Sequence, residues 1–273
     1  MAKTLNKAAL ARKLGICRQG LYYRSKMAMR DLAVKNQIIE VLGSNPCYGH
    51  KRIAIELKMN KKRILRVMKK YGLEPRKRRK KFIKTDDIGL PEAGYQNEVK
   101  GIHPQAPDII WCGDFTYIKF KDGFIYLATI VDVYTREIIG FALSRRHNRY
   151  LVKSAALDAM KKRNRLPRYF HSDQGSEYQS FEHADFLKHL GVKVSMSTKS
   201  SPWENPFQES FYSQFKLELG NINRLENDGQ LAEAIFGQIY YYNNQRIHSD
   251  LKMSPGQFHQ LAASKVDGLN KSV

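Results

Sequence analysis

The pattern of apolar and polar positions changes at about residue 108 of the chain. Beyond this point, short apolar runs alternate with amphipathic stretches, as in a chain that folds into strands and helices. The run GFIYLATIVDVYT lacks polar alternation, which is expected of a strand buried on both faces. Three successive strands followed by alternating helices and strands predict an α/β fold with a mixed sheet covered by helices on both faces. The predicted strands are 109–120, 124–134, 137–143, 168–172 and 192–196, and the predicted helices lie around 149–163, 180–190, 207–219 and 229–244.

The first third of the chain has helical periodicity and contains two candidate helix-turn-helix segments. In the first, KAALARKLGICRQGLYYR, two short helices are predicted to meet at Gly15. In the second, YGHKRIAIELKMNKKRILRVMKKYGL, Asn60 is placed to cap the second helix and Gly72 to end it. The positions predicted to face inward are Leu10, Leu14, Ile16 and Leu21 in the first segment, and Ile53, Leu57, Ile64, Leu65 and Met68 in the second.

The net charge of +21 is concentrated in the same region. Residues 1–84 contain 25 of the 47 Lys and Arg residues but only 4 of the 26 Asp and Glu residues, so the remainder is balanced, with 22 of each. A segregated basic excess favours a polyanionic partner, and we predict double-stranded DNA. The alternative is a helical bundle with a solvated basic face. The side chains predicted to contact DNA are Lys62, Arg63, Arg66 and Lys69 on the second helix of the second segment, and Arg76, Lys77, Arg78 and Arg79 in the basic run that follows.

The basic run RKRRKK at 76–81 marks a domain boundary. Like charges repel one another and keep such a segment extended, which is typical of a linker. We predict a helical DNA-binding region at 1–75, a basic linker at 76–107, an α/β core with C-terminal helices at 108–262 and a flexible tail at 263–273.

Other compositional features exclude several classes of protein. No apolar run approaches the roughly 20 residues that a membrane span requires, and no signal-peptide pattern opens the chain, so no membrane partner is expected. The three cysteines, Cys17, Cys47 and Cys112, lie far apart and form no Cys/His cluster. This spacing argues against structural zinc and favours a reducing compartment such as the cytoplasm.

Three acidic residues lie in settings suited to an active site. Asp114 interrupts the apolar run IIWCGDFTYIKF, Asp173 follows the short strand in RYFHSDQGSEY, and Glu209 begins the helical run QESFYSQFKLEL. Taken singly, each of them could be structural. Together, two strand aspartates and a helical glutamate could bind a pair of divalent metal ions, which clamp the attacking and leaving oxygens of a phosphoryl displacement.

The helix predicted to begin near residue 207 would present two different faces. Glu209, Ser213 and Lys216 fall at i, i+4 and i+7 and therefore share one face. Phe211, Phe215 and Leu219 lie along the other side, where they can pack on the sheet. We expect the aromatic face to anchor the helix, while Glu209 is directed at metal and Lys216 at DNA.

The motifs around these residues resemble a known family. WCGDFTYI, HSDQGSEY and SPWENPFQESFYSQFK are similar to the DDE core of the insertion-sequence transposases, within the retroviral-integrase superfamily. The resemblance is narrower to the second-reading-frame (OrfB) proteins of the insertion sequence three family. Asp173 and Glu209 are separated by 35 residues and Lys216 lies seven positions beyond Glu209, both as in that family. The closing segment YYNNQRIHSDLKMSP also resembles the family's tail.

This resemblance implies an RNase H-like integrase core with a five-stranded mixed sheet. It implies a bacterial DNA transposase that cuts 3′ ends of an insertion sequence and transfers them to target DNA. Asp114, Asp173 and Glu209 would be both catalytic and metal-binding, with two Mg²⁺ ions that Mn²⁺ can replace. It further implies a homodimer or larger assembly on transposon ends and target DNA, a nucleoid-associated cytoplasmic location, and an upstream-frame (OrfA) partner or fusion.

Two other functions remain compatible with the sequence. One is an RNase H-like nuclease that hydrolyses DNA without joining it. The other is a catalytically inactive DNA-binding regulator of transposition, against which the presence of all three carboxylates speaks.

Overall fold

The computed structural model describes residues 6–22, 26–77, 95–179, 181–197 and 205–270. The chain forms two compact units, Met1–Arg76 and Lys77–Val273, which we describe separately as the N-terminal unit and the C-terminal unit. Within the described ranges, no helix combines the length and the apolar character needed to cross a membrane.

The N-terminal unit is helical. Its elements are α1 (Lys7–Lys13), a 3-10 helix (Arg18–Tyr22), α2 (Lys26–Ser44), α3 (His50–Glu56) and α4 (Lys61–Tyr71). Its core forms where α2, α3 and α4 pack together, because each of these helices buries one apolar stripe. The buried apolar side chains are Val34, Ile38 and Val41 of α2, Ile53 and Ala54 of α3, and Ile64, Val67 and Met68 of α4.

The second helix-turn-helix candidate is confirmed in its local details. The side chain of Asn60 accepts a hydrogen bond from the backbone N–H of Lys62 at 2.8 Å, which caps α4. Gly72 ends the helix in the left-handed conformation, with φ of 64°, which a glycine adopts without steric cost.

The first candidate is wrong. α1 is followed by a short 3-10 helix rather than by a second α-helix, and Leu14 and Ile16, predicted to face inward, are exposed. The longest helix of the N-terminal unit is α2, and its 19 residues are not among the helices that the sequence predicts. Its buried face includes Asp31, and this charge hides the apolar periodicity.

The C-terminal unit contains a five-stranded sheet in the order β3-β2-β1-β4-β5. The strands are β1 (Ile110–Phe120), β2 (Gly123–Asp132), β3 (Ile138–Ser144), β4 (Tyr169–Ser172) and β5 (Lys193–Met196). β1, β2 and β3 pair antiparallel, whereas β4 is parallel to β1 and β5 is parallel to β4. The mixed sheet predicted from the sequence is therefore confirmed, with strand ends within two residues of the predicted ones.

One face of the sheet is covered by α5 (Arg149–Arg163), α6 (Ser176–Gln179) and α7 (Phe181–His189). The alanines of α5, Ala155, Ala156 and Ala159, are fully buried against this face. Gly140 of β3 allows the close approach, since a Cβ atom there would lie 2.4 Å from the carbonyl oxygen of Ala155.

The other face is covered by α8 (Pro206–Leu219) and α9 (Asp228–Asn244), with a 3-10 turn (Ile222–Arg224) between them. Phe211 and Phe215 of α8 are buried against β1 and β2, and Leu219 packs at the edge of the same cluster, as the sequence predicted. α10 (Pro255–Asn270) follows α9 and runs through most of the segment that we expected to be a flexible tail.

The described part of the predicted linker, residues 95–107, belongs to the C-terminal unit instead. The backbone N–H of Met196 in β5 donates to the carbonyl oxygen of Gln96 at 3.2 Å, and the N–H of Glu98 donates to Ser195 Oγ at 2.9 Å. This segment therefore adds to the β5 edge of the sheet. The run RKRRKK lies outside the described residues, apart from Arg76 and Lys77.

Candidate active site

Asp114 lies on β1, and Asp173 directly follows the neighbouring parallel strand β4. Cys112 of β1 is paired with His171 of β4, and Asp114 and Asp173 each follow that pair by two residues. Because side chains two residues apart on a strand share a face, the register directs both carboxylates to the same side of the sheet. Asp114 and Asp173 are 59 residues apart in the sequence, so the fold rather than sequence proximity brings them to the same side of the sheet.

The surroundings of Asp114 disfavour the ionised form of its carboxyl group. Burial, together with the negative charges of Asp173 and Glu209, raises its pKa to about 8. The N–H of Phe115, which donates to Asp114 Oδ1 at 2.7 Å, and the charge of Lys216 act in the opposite direction. The structure therefore brings Asp173, Glu209 and Lys216 within electrostatic reach of Asp114.

Asp173 shares its surroundings with a fourth carboxylate, Glu177. Burial raises the pKa of Asp173, a hydrogen bond of 3.1 Å from the N–H of Gly175 lowers it, and Glu177 raises it again. Gly175 leaves room for this arrangement, since a Cβ atom there would lie 3.1 Å from Asp173 Oδ1 and 3.3 Å from Glu177 Oε2. Glu177 in turn lies 2.8 Å, Oε1 to Nδ1, from His147.

Glu209 is exposed in the first turn of α8. Its position is set by its neighbour Gln208, which is fully buried. Gln208 Nε2 donates to the carbonyl oxygens of Cys112 at 2.6 Å and Thr129 at 3.0 Å. The Thr129 hydroxyl donates to Gln208 Oε1 at 2.9 Å. The start of α8 is thereby fixed to β1 and β2.

Tyr212, one turn later on α8, makes a second attachment to the same strands. Its hydroxyl donates to the carbonyl oxygen of Asp114 at 2.7 Å and lies 2.8 Å from Thr129 Oγ1. Burial raises the pKa of Tyr212 well above its ordinary value, so it remains a donor. Gln208 and Tyr212 thus link the helix that carries Glu209 to the strand that carries Asp114. The sequence contained a signal that was missed, since polar Gln208 and Tyr212 share the sheet-facing side of α8 with Phe211 and Phe215.

Lys216 is half-buried on the next turn of α8. Its Nζ atom lies 4.9 Å from the centre of the Tyr117 ring, and its charge favours the ionised form of Asp114. The side chain therefore places a cation beside the carboxylates rather than in bulk solvent.

The carboxylates do not form a ready-made metal site. In the described part of the chain, no group of three or more His, Cys, Asp or Glu side chains is arranged to hold a metal ion. Asp132, at the end of β2, has a structural role, because its carboxylate accepts hydrogen bonds from the N–H groups of Asp108 and Thr135, each at 2.7 Å.

The basic side chains predicted to contact DNA are placed differently from one another. Lys62, Arg63 and Lys69 are exposed on α4. Arg66, predicted to join them, instead forms a bidentate ion pair with buried Asp31, with N–O distances of 2.8 and 2.6 Å. Lys70 lies 3.0 Å from the same carboxylate, and these two partners hold the pKa of Asp31 well below its usual range. In the basic run, Arg76 and Lys77 are exposed, and Arg78 and Arg79 lie outside the described residues.

A mixed five-stranded sheet with helices on both faces defines an RNase H-like integrase core when acidic residues lie on one central strand, just after its parallel neighbour, and on a helix. Two family models described as "Integrase core domain" match residues 104–202 and 190–255. A solved structure with a similar fold is the simian T-cell lymphotropic virus intasome in complex with PP2A regulatory subunit B56 gamma. Its TM-score is 0.50 at 16% identity, covering 80% of this chain and 73% of that one.

Curated relatives narrow the class. The transposase for insertion sequence element IS904 of Lactococcus lactis is 36% identical over 206 residues, which cover 74% of this chain and 81% of the relative. Transposase InsF for insertion sequence IS3A of Escherichia coli is 29% identical over 268 residues, covering 92% of each. The chain belongs to the DDE-type insertion-sequence transposases of the insertion sequence three family.

Proposed function

We propose that this protein cuts the 3′ ends of an insertion sequence and joins them to target DNA in one metal-dependent active site. The observation that carries the proposal is the environment of Asp114. Its pKa is raised to about 8 by burial and by two carboxylates that come from other elements of the chain. Stability alone offers no reason to gather these charges, whereas functional sites often do.

The chemistry of the donor set fits Mg²⁺. Carboxylate oxygens are hard ligands of the kind that Mg²⁺ uses at phosphoryl-transfer sites. With a pKa of about 8, Asp114 is largely protonated at neutral pH in the metal-free protein, and a divalent cation would favour its ionised form. Asp114, Asp173 and Glu209 would hold the metal, and two Mg²⁺ or Mn²⁺ ions, when bound, would supply Lewis-acid stabilisation for displacement at phosphorus.

The surrounding side chains have separate tasks in this proposal. Gln208 and Tyr212 hold the α8 helix to β1, so that Glu209 stays in register with Asp114. Lys216 lies beside the carboxylates and would orient a phosphate of the DNA strand. The exposed cations of α4, Lys62, Arg63 and Lys69, would bind the DNA backbone.

The partners follow from the reaction. Cutting and joining act on double-stranded DNA at the transposon ends and at the target. Two ends must be held together, which requires at least a dimer on DNA. The family resemblance adds an upstream-frame partner or fusion, which would supply specific recognition of the ends.

A strand-transfer assay tests the proposal. Purified protein is incubated with Mg²⁺ and labelled duplexes that end in the inverted repeats flanking the gene, and nicked and joined products are separated on a denaturing gel. We expect both products from the wild-type protein and neither when EDTA replaces Mg²⁺. Nicks without joined products would indicate a nuclease, and tight binding without nicks would indicate a regulator.

A pair of matched variants separates catalysis from binding. Glu209→Gln should abolish both products, because a neutral amide binds Mg²⁺ much more weakly than a carboxylate does, while DNA affinity in a filter-binding assay stays within about twofold of wild type. Glu233→Gln removes the same charge from an exposed position on α9 and should leave both activities unchanged. Loss of DNA binding in Glu209→Gln as severe as the loss of cutting would contradict this division of tasks.

A further inference from the structure

A cavity of about 560 Å³ lies in the C-terminal unit beside the carboxylates. This volume is within the range of about 300–1,000 Å³ that is usual for small-molecule sites. The segment 97–104 forms one wall, the turn between β2 and β3 forms another, and the start of α8 closes a third. The apolar and aromatic side chains that line it include Val99, Ile102, Ile110, Tyr134 and Phe207.

The cavity adjoins the candidate active site in a regular way. Three of its lining residues precede the three carboxylates by two positions each. On the strands, residues two apart share a face, and on α8 the two positions lie within one turn. Anything that occupies the cavity therefore lies next to the reacting site. The pairs are Cys112 and Asp114, His171 and Asp173, and Phe207 and Glu209.

The charge of the lining has one sign. Among the described residues that line the cavity, the charged side chains are Lys100 and Arg136, and none is a carboxylate. The Arg136 guanidinium lies 3.9 Å from the centre of the Phe207 ring. Its Nη1 atom is buried and makes no hydrogen bond to any described residue.

Both the backbone and the side chain of Arg136 are in energetically unfavourable states. Its backbone has φ of 64°, a conformation that favours glycine or asparagine. Burial lowers its pKa, while the charges of Tyr242 and Asp250 act in the opposite direction. Arg136 is thus a partly buried cation at a strained position on the cavity wall, which indicates a site for an anion.

We propose that this cavity binds a nucleotide, with the base against the apolar and aromatic wall and the phosphate on Arg136 and Lys100. The inference rests on the proposed function, because DNA bound for cutting at the carboxylates would bring nucleotides next to the cavity. The nucleotide comes either from an unpaired end of the DNA substrate or from solution. Both sources present the same flat base and the same phosphate.

The first arm of the test uses a free nucleotide. Isothermal titration calorimetry measures the binding of 2′-deoxyadenosine 5′-monophosphate to the full chain without metal. The same measurement is made separately with 2′-deoxyadenosine and with inorganic phosphate. We expect the nucleotide to bind more tightly than either fragment. Arg136→Gln should weaken its binding about tenfold or more, as expected for loss of a charge-assisted hydrogen bond, whereas Arg165→Gln, at an exposed position outside the cavity, should change it less than about twofold.

The second arm uses DNA. Two duplexes are compared, one flush-ended and one with two unpaired nucleotides at its end, again without metal. Tighter binding of the unpaired end by wild type, lost in Arg136→Gln but kept in Arg165→Gln, identifies the substrate as the source of the nucleotide. Binding of the free nucleotide with no preference for the unpaired end identifies a nucleotide from solution.

A filling variant guards against misfolding. Val99→Phe narrows the cavity without a change of charge and should weaken nucleotide binding, with thermal unfolding used to confirm that the unit is intact. The proposal is overturned if neither ligand form binds to wild type, or if Arg136→Gln and Arg165→Gln behave alike. Cutting and joining of flush ends by wild type in that case would leave the proposed function standing. Nucleotide binding without any cutting would contradict the proposed function alone.

Discussion

Replacing Asp114 by Asn should stabilise the metal-free protein, and the gain should grow with pH. Folding raises the pKa of this carboxyl from 3.8 to about 8. Between these two pH values the unfolded chain has released the proton and the folded protein still holds it. Unfolding then releases a proton, so the free energy of unfolding falls as the pH rises. The stability linked to protonated Asp114 is complete below about pH 4 and lost by about pH 8 to 9.

The size of the effect follows from the shift. A shift of about four pKa units corresponds to an upper limit of about 6 kcal/mol. Asp114 is only partly buried by its accessible surface, and water and backbone movement relieve such penalties, so we expect about half of this, roughly 3 kcal/mol. Asparagine cannot ionise and should lack the pH-dependent term.

Urea unfolding in EDTA at pH 5, 7 and 9, followed by circular dichroism in the transition of the C-terminal unit, measures this difference. The free energy of unfolding of Asp114→Asn relative to wild type should rise steadily across the three pH values. Asp122→Asn, in the exposed turn between β1 and β2, is the matched control and should show no such trend. A difference between Asp114→Asn and wild type that is the same at all three pH values would refute the reasoning. It would show that folding does not raise the pKa of Asp114.

Two further outcomes are expected. Tyr212→Phe should slow strand cutting by about tenfold and cost about 1 kcal/mol of stability, because it removes the hydroxyl that donates to the Asp114 carbonyl; unchanged single-turnover rates would count against a positioning role. Arg63→Gln should weaken DNA binding and reduce the slope of log affinity against log salt by about 1, whereas Arg66→Gln should lower the melting temperature of the N-terminal unit because it leaves Asp31 with one partner fewer; equal salt slopes for the two variants would show that Arg66 also contacts DNA.

Much of the C-terminal unit is predictable from the sequence because its signals are local. The apolar runs of the strands give their ends to within two residues, and the aromatic spacing on α8 gives the face that packs on the sheet. Asp114 and Asp173 could be recognised because each charge stands beside an apolar run. The cap at Asn60 and the terminator at Gly72 are likewise short-range features, and both are confirmed.

The parts that were missed depend on contacts between distant residues. In the sequence, Asp31 interrupts the apolar face of α2. Its burial is explained only by its ion pairs with Arg66 and Lys70, which lie more than 30 residues later in the chain. The same pairing removes Arg66 from the row of free cations that the helical spacing predicts. The sequence alone suggests that Gln208 is a surface residue, because its hydrogen bonds to the backbone of β1 and β2 depend on the fold. Sequence periodicity records which face is apolar, and not which polar side chain finds a partner there.

The attachment of residues 95–98 to β5 has a practical consequence for work on shorter fragments. A catalytic fragment that starts at residue 108 would lose the hydrogen bonds from Gln96 and Glu98 and uncover an edge strand of the sheet. Bare strand edges pair readily with other chains, so such a truncation should aggregate. Fragments intended for crystallisation should therefore begin ahead of Tyr95.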